Sequence, residues 1–291
     1  MSLSTHLQTP ELLKLLPTLA PGQLKPLVVQ RGREYLDAHA EESEVVAQNL
    51  RAFGLDASAA RVRAIQEQVV LHYFEKLVAL CGTPATLRQF LAHNVDAAAA
   101  VDTIKAIVNS GSGVLLATCH FGAVELVAPT VLMHGLPVTG VLRFATAQLS
   151  ESVARKAQQL SASGDFGLAR FIEIGKPGAI AAVEMAAVLR RAEVLLAVFD
   201  EETEYSKPVA LLGRQVKGGA GLHRILKFVN APVRVVCACM VRTGDASYRL
   251  EARELPDNGN PVDGMYAHLE QILANHLEQW YFLHEEIPFV Q

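Results

Sequence analysis

The sequence predicts an α/β fold, a mostly parallel central sheet covered by helices, with a helical N-terminal third. Two observations carry that expectation. Across residues 1–110 apolar positions recur at three- and four-residue spacing, the period of helices with one buried face. From Gly113 onward, short apolar runs alternate with helical stretches, the texture of strand–helix–strand units. No linker, internal repeat or low-complexity tract divides the 291 residues, so a single domain is expected over 1–291, with a helical part at 1–110 and an α/β core at 111–291.

Taken in order, Leu12-Leu13-Lys14-Leu15-Leu16 before Pro17 reads as a short core staple or as a segment resting on a membrane surface, the staple preferred because the basic face of an interfacial helix is lacking. Helices are expected over 45–53, 60–81 and 97–108. Strands are expected at 113–118, 137–142, 171–174, 194–199, 209–212, 233–241 and 248–254, with helices in most of the gaps between the earlier ones. The stretch 123–134 is predicted to be a helix directly after the first of these strands. A turn-rich Pro256-Asp-Asn-Gly-Asn-Pro261 leads into a last helix over 262–279.

The composition excludes several classes of function. Net charge is −4, and Lys and Arg are not concentrated on any one segment, so no nucleic-acid partner is expected. The 51% hydrophobic content is mostly Ala, Leu and Val dispersed through periodic segments. No apolar run is long enough to cross a bilayer and no signal-like N-terminus is present, so a cytoplasmic location is expected. The four cysteines read as reduced core residues; Cys237 and Cys239 share a strand face, but no second ligand pair completes a zinc site, and no metal is expected.

The segment Gly113-Val-Leu-Leu-Ala-Thr-Cys-His120-Phe-Gly-Ala-Val-Glu125 runs an apolar strand into a histidine, with a carboxylate five positions later. His120 therefore falls at the carboxyl end of a strand, where open α/β sheets hold ligands. A Glu125 in the first helical turn can reach back to one imidazole nitrogen and leave the other free as a base. Chance supplies about one His-x4-Glu/Asp match in such a chain. His6 with Glu11 and His39 with Glu44 share the spacing, but only His120 has the strand, the glycine and the apolar setting. A satisfied buried histidine fits the same pattern.

Several separated segments between Asn49 and His284 resemble the lauroyl/myristoyl acyltransferase family of bacterial lipid A biosynthesis, related in fold to the glycerol-phosphate acyltransferases. They are Asn49-Leu50-Arg51-Ala52-Phe53, Gly111-Ser-Gly113-Val-Leu-Leu leading into His120-Phe121-Gly122-x-x-Glu125, Val141-Leu142-Arg143 with Arg155, Val198-Phe199-Asp200, Leu212-Gly213-Arg214, and Glu278-Gln279-Trp280-Tyr281-Phe282-Leu283-His284. The chain departs from the pattern at Ala123-Val124, where relatives favour Asn-Trp, at Glu201 in place of Gln, and at Leu211-Leu212 in place of paired aromatics. It also lacks the family's N-terminal transmembrane helix.

The resemblance implies transfer of an acyl chain from an acyl carrier protein or coenzyme A thioester to a hydroxyl or amino acceptor, which is a small molecule, a secondary-metabolite intermediate or a glycolipid precursor. The thioester is a co-substrate; no resident cofactor is implied. His120 is the expected general base and Glu125 its orienting partner, with no acyl-enzyme. Arg143 and Arg155 are the candidate donors to an oxyanion or an anionic substrate group, Arg155 slightly preferred. Asp200 is read as a rim or acceptor-binding group, or equally as a turn residue, and Arg214 as a phosphate contact or a solvated arginine. Trp280 is read as a packing anchor; His276 and His284 as structural or exposed; His223, after Gly218-Gly219-Ala220-Gly221, fits no phosphate fingerprint well. The dyad should face an open cleft continuing into an apolar channel, with at most peripheral membrane contact. A silent acyl-chain or carrier-binding scaffold and a thioester hydrolase are the alternatives; the latter lacks a Gly-x-Ser-x-Gly elbow.

Overall fold

The computed structural model describes residues 2–144, 146–175, 180–219, 221–257 and 260–290. Six helices come first: α1 (Leu3–Leu7), α2 (Pro10–Leu15), α3 (Pro21–Ala38), α4 (Glu41–Ala52), α5 (Ala59–Cys81) and α6 (Pro84–Asn94). Capping sets several of their starts. Thr9 and Thr83 each accept a backbone N–H of the first turn, and Pro10 and Pro84 occupy the next position, where a missing N–H costs nothing. In α2, Leu12 is buried and Leu16 follows it into the core, so the apolar segment staples as expected while Leu13 and Leu15 stay exposed.

After a two-residue strand β1 (Val95–Asp96) and α7 (Ala98–Asn109), the chain alternates: β2 (Gly113–Thr118), α8 (Val127–Met133), β3 (Val138–Leu142), α9 (Ala147–Ala162), β4 (Ala169–Glu173), α10 (Ile180–Arg190) and β5 (Val194–Val198). A hairpin of β6 (Lys207–Leu211) and β7 (Arg214–Gly218) precedes α11 (Gly221–Val229), β8 (Val233–Gly244), β9 (Ser247–Glu254) and α12 (Pro261–His276). Seven strands form one sheet in the order β1-β9-β8-β2-β5-β3-β4, parallel throughout except for the antiparallel β8–β9 pair.

Both faces of the sheet are covered, which is why β2 is buried at every position and apolar up to its last residue, Thr118. Val114 and Leu116 point into a core shared with α3, α5, α7 and α8, while Leu115, Ala117 and Cys119 point into a second core shared with α4, α10, α11 and α12. The helical N-terminal segment thus packs directly on the sheet. No helix among the described residues is long and apolar enough to cross a membrane.

Three expectations need correction. The helix expected over 123–134 begins as a 3-10 turn, Val124–Leu126, and becomes α-helical only at Val127. The backbone N–H groups of Gly122 and Ala123 are spent on the carbonyls of Gln279 and Met240, so the chain is tied across the sheet edge before it can coil. The strand expected at 209–212 lies outside the main sheet, in an antiparallel pair with β7. Its turn, Leu212-Gly213, has positive φ at both residues (49° and 74°), the geometry that a tight hairpin demands. Finally, the last helix ends at His276, and a 3-10 turn carries Leu277–Gln279. The turn expected at 256–261 and the 218–221 stretch each fall partly outside the described residues.

Candidate functional site

The site follows from strand register. β2 and β5 run parallel with Thr118 opposite Val198, and Phe199 N–H donates to the Thr118 carbonyl at 2.9 Å. Two residues further, His120 and Asp200 leave adjacent strands at the same level of the carboxyl edge. Asp200 then takes hold of the histidine at two points: Oδ2 accepts the His120 backbone N–H at 2.9 Å and Oδ1 lies 3.0 Å from Nδ1. Its side chain is 1% exposed, and Trp280 Nε1 donates to Oδ2 at 3.3 Å.

An ionised carboxylate accepts only, so Nδ1 carries a proton and Nε2 is the nitrogen open to chemistry. The ring is 22% exposed, and Nε2 faces Glu201 Oε1 at 3.4 Å. Glu201 itself is 46% exposed, on the rim. Burial pulls the His120 pKa down. The charge and hydrogen bond of Asp200, followed by the charges of Glu201 and Glu125, outweigh that pull and raise it to about 9. At neutral pH the ring is an imidazolium held between carboxylates.

The partner expected from the sequence was Glu125, and here the structure differs. Glu125 sits in the 3-10 turn, where its charge reaches the ring but no hydrogen bond joins the two among the described residues. A helix starting at Ala123 would have aimed it back; the ties to Gln279 and Met240 displace that start. Asp200, read only as a rim or turn residue, orients the imidazole instead.

The C-terminal segment closes the site from above. Phe121 pairs with Trp280 in an antiparallel bridge, Tyr281 N–H donates to the His120 carbonyl at 2.8 Å, and Phe282 meets the His120 ring edge-on at 5.0 Å between centroids. Trp280 is therefore more than a packing anchor, since it also fixes Asp200. From α4, Asn49 Nδ2 donates to the carbonyls of Leu283 (3.1 Å) and Glu285 (2.8 Å), pinning this segment to the N-terminal helices.

Behind the histidine lies a buried ion pair. Arg242 on β8 grips Glu75 of α5 through Nε and Nη2 at 2.7 and 2.6 Å, donates Nη1 to Gln68 and spends Nη2 also on the Gly122 carbonyl at 2.8 Å. Gly122 has φ of 56°, and a Cβ there would stand 2.0 Å from the Met240 carbonyl oxygen, so no other residue fits the turn. Neither Glu75 nor Arg242 was singled out from the sequence. The available signals were a carboxylate on the apolar stripe of α5 and an arginine inside an apolar strand.

The remaining candidates are scattered. Arg143 follows β3 at the same sheet edge, beyond β5, and is exposed beside Gly175. Arg155 is exposed midway along α9. Neither has a hydrogen bond or ion pair among the described residues. Arg214 on β7 donates Nε to the Ala52 carbonyl at 2.7 Å, closing the end of α4. Cys119, Cys237 and Cys239 are buried free thiols, with Cys119 and Cys239 sulfurs 3.5 Å apart. No group of three potential metal ligands converges among the described residues.

Space beside the histidine is tight. A cavity of about 10 Å³, room for about one water, is lined by Asp200, Lys217, Tyr266, Trp280 and Phe282. A second, lined by His72, Gly122, Arg242 and Tyr281, holds none. Neither is the apolar channel expected beside the dyad. His72 leaves Nδ1 without a partner there, and burial, with the charge of Arg242 next, holds its pKa well below the ordinary value.

No family model matches the chain, and no curated protein matches it.

Proposed function

We propose that this chain is an acyltransferase of the glycerol-phosphate acyltransferase type, moving an acyl group from a carrier-protein or coenzyme A thioester to a hydroxyl or amino acceptor, with His120 as general base. The observation that supports this most is the Asp200–His120 pair at the carboxyl edge of the parallel sheet, with Nε2 turned to an accessible rim. The acceptor's proton passes to Nε2 as its oxygen or nitrogen bonds to the thioester carbonyl carbon. The tetrahedral intermediate then expels the thiolate, which takes the proton back from the imidazolium and leaves as a thiol. Asp200 fixes the ring and, with Glu125 and Glu201, favours the charged form that develops. Glu201 swings off Nε2 to admit the acceptor. Arg143, at the same edge and unpaired, is the proposed contact for the donor's anionic part; Arg155 and Arg214 remain weaker proposals, the latter already engaged by Ala52.

The chemistry needs no resident cofactor or metal, and cytoplasmic action on a small-molecule or lipid acceptor, at most peripheral to a membrane, belongs to the same proposal. A silent scaffold that binds the carrier protein is the second reading, favoured by the water-sized cavity beside Asp200, which leaves no room for an acyl chain next to the histidine. Purified protein with acyl thioesters of graded length, with and without an acceptor panel, separates these by product mass. Acylated acceptor is expected, falling about 10²–10⁴-fold in folded His120→Ala. Free thiol with free fatty acid alone identifies a hydrolase, and thioester binding without turnover identifies the scaffold.

A further inference from the structure

α10 and α11 lie side by side on one face of the sheet. Each leads directly into a strand parallel to β2, α10 into β5 and α11 into β8, so both descend from the carboxyl edge. Arg190 joins their lower ends by donating Nε to the Val229 carbonyl at 2.8 Å. Their inner residues, including Met185, Leu189, Leu222 and Ile225, are buried.

Their outer face is not the polar one expected of a surface helix. It exposes Ile180 (70%), Val183 and Phe228, and Tyr205 comes up against the start of α11 at Gly221, so four of the nine large apolar side chains exposed among the described residues belong to these two helices and the loop beside them. Cations are interleaved with them. The Arg224 guanidinium sits 4.6 Å from the centre of the Tyr205 ring, and that of Arg190 5.7 Å from Phe228. Lys207 and Lys227 flank His223 closely enough that, after burial, their charges hold its pKa down.

None of Arg190, Lys207, Arg224 and Lys227 is paired with a carboxylate among the described residues. α11 contains no acidic residue; α10 carries one, Glu184, and Glu204 precedes Tyr205. Unpaired cations beside exposed rings, on a chain of net charge −4, fit a partner that is both negative and apolar. Rings and cations side by side on two adjacent helices match a bilayer interface, where rings sit at headgroup level and cations meet phosphates.

We propose that the α10/α11 face docks reversibly on an anionic lipid surface. This does not rest on the acyl-transfer reading. The test is co-sedimentation of the full chain with phosphatidylcholine vesicles, alone or with about a third phosphatidylglycerol. Binding to the mixed vesicles is expected to fall about tenfold or more at high salt or in the Arg224→Glu, Lys227→Glu double variant, and severalfold in Phe228→Ser. Circular dichroism checks each fold; Lys207→Glu, on the hairpin outside both helices, gives the same reading if the α11 variants do not fold. An Arg33→Glu, Arg51→Glu control, on α3 and α4, should bind as wild type. No sedimentation with anionic vesicles at low salt, an equal loss in the control, or binding to an acidic protein without binding to vesicles overturns the proposal.

Discussion

Asp200 rather than Glu125 orients His120, and the reason shows what spacing along a chain can and cannot reveal. A five-residue interval is visible in the sequence, whereas the register that sets residue 120 beside residue 200 is a property of two strands that meet only in the fold. The residue types at the site were legible; their pairing was not. The pairing has a measurable sign. His120 binds its proton more tightly in the folded chain, so this interaction stabilises the fold below the ordinary value of 6.5 and is lost as pH rises through about 9. The neutral base grows over the same interval, and transfer should rise with pH through a midpoint near 9 and level off only above it. An NMR titration of the imidazole is expected to find a midpoint near 9, lowered more by Asp200→Asn than by Glu125→Gln, because Asp200 supplies both a charge and a hydrogen bond. A wild-type midpoint near 6.5 would contradict the arrangement.

Among the elements, α5 and β8 carry the largest hidden cost. The Arg242–Glu75 pair is 5% and 0% exposed, and both charges were taken out of water to build it. Removing one partner leaves the other buried and alone, so Glu75→Gln or Arg242→Met should lose about 3–5 kcal/mol in urea unfolding. Glu75→Gln combined with Arg242→Met should cost less than the sum of the single changes; strict additivity would mean that the two do not act as a pair. Strands and long helices were legible because burial imposes a period on their residues. The start of α8 was not, since the bonds that delay it come from Met240 and Gln279, more than a hundred residues away. Nor was the β6–β7 hairpin, whose Leu212-Gly213 turn lacks the Asn or Asp that usually announces one.

At the scale of the molecule, the layered α/β architecture was legible from the alternation of periods, while strand order was not, because no local signal says that β5 inserts between β2 and β3. The water-sized space beside Asp200 sets a further expectation. An acyl chain entering there must displace the 199–206 loop or the aromatic residues at 280–282. A non-reactive thioether analogue of an acyl-coenzyme A should therefore change amide exchange in both segments, and unchanged exchange at saturation would place the chain elsewhere. The clamp that Trp280 applies to Asp200 also has a meaning in time. His120, Asp200 and Trp280 are spaced 80 residues apart, and each hydrogen bond among them closes a loop of that length. Pairing of β2 with β5 closes a loop of the same length and sets Asp200 beside His120, so only the Trp280 bond waits for a later segment of the chain. On a ribosome the first two hundred residues would emerge carrying both His120 and Asp200, and the indole that holds the carboxylate would arrive only when residues 280–284 dock, a built-in delay between acquiring a shape and completing the site.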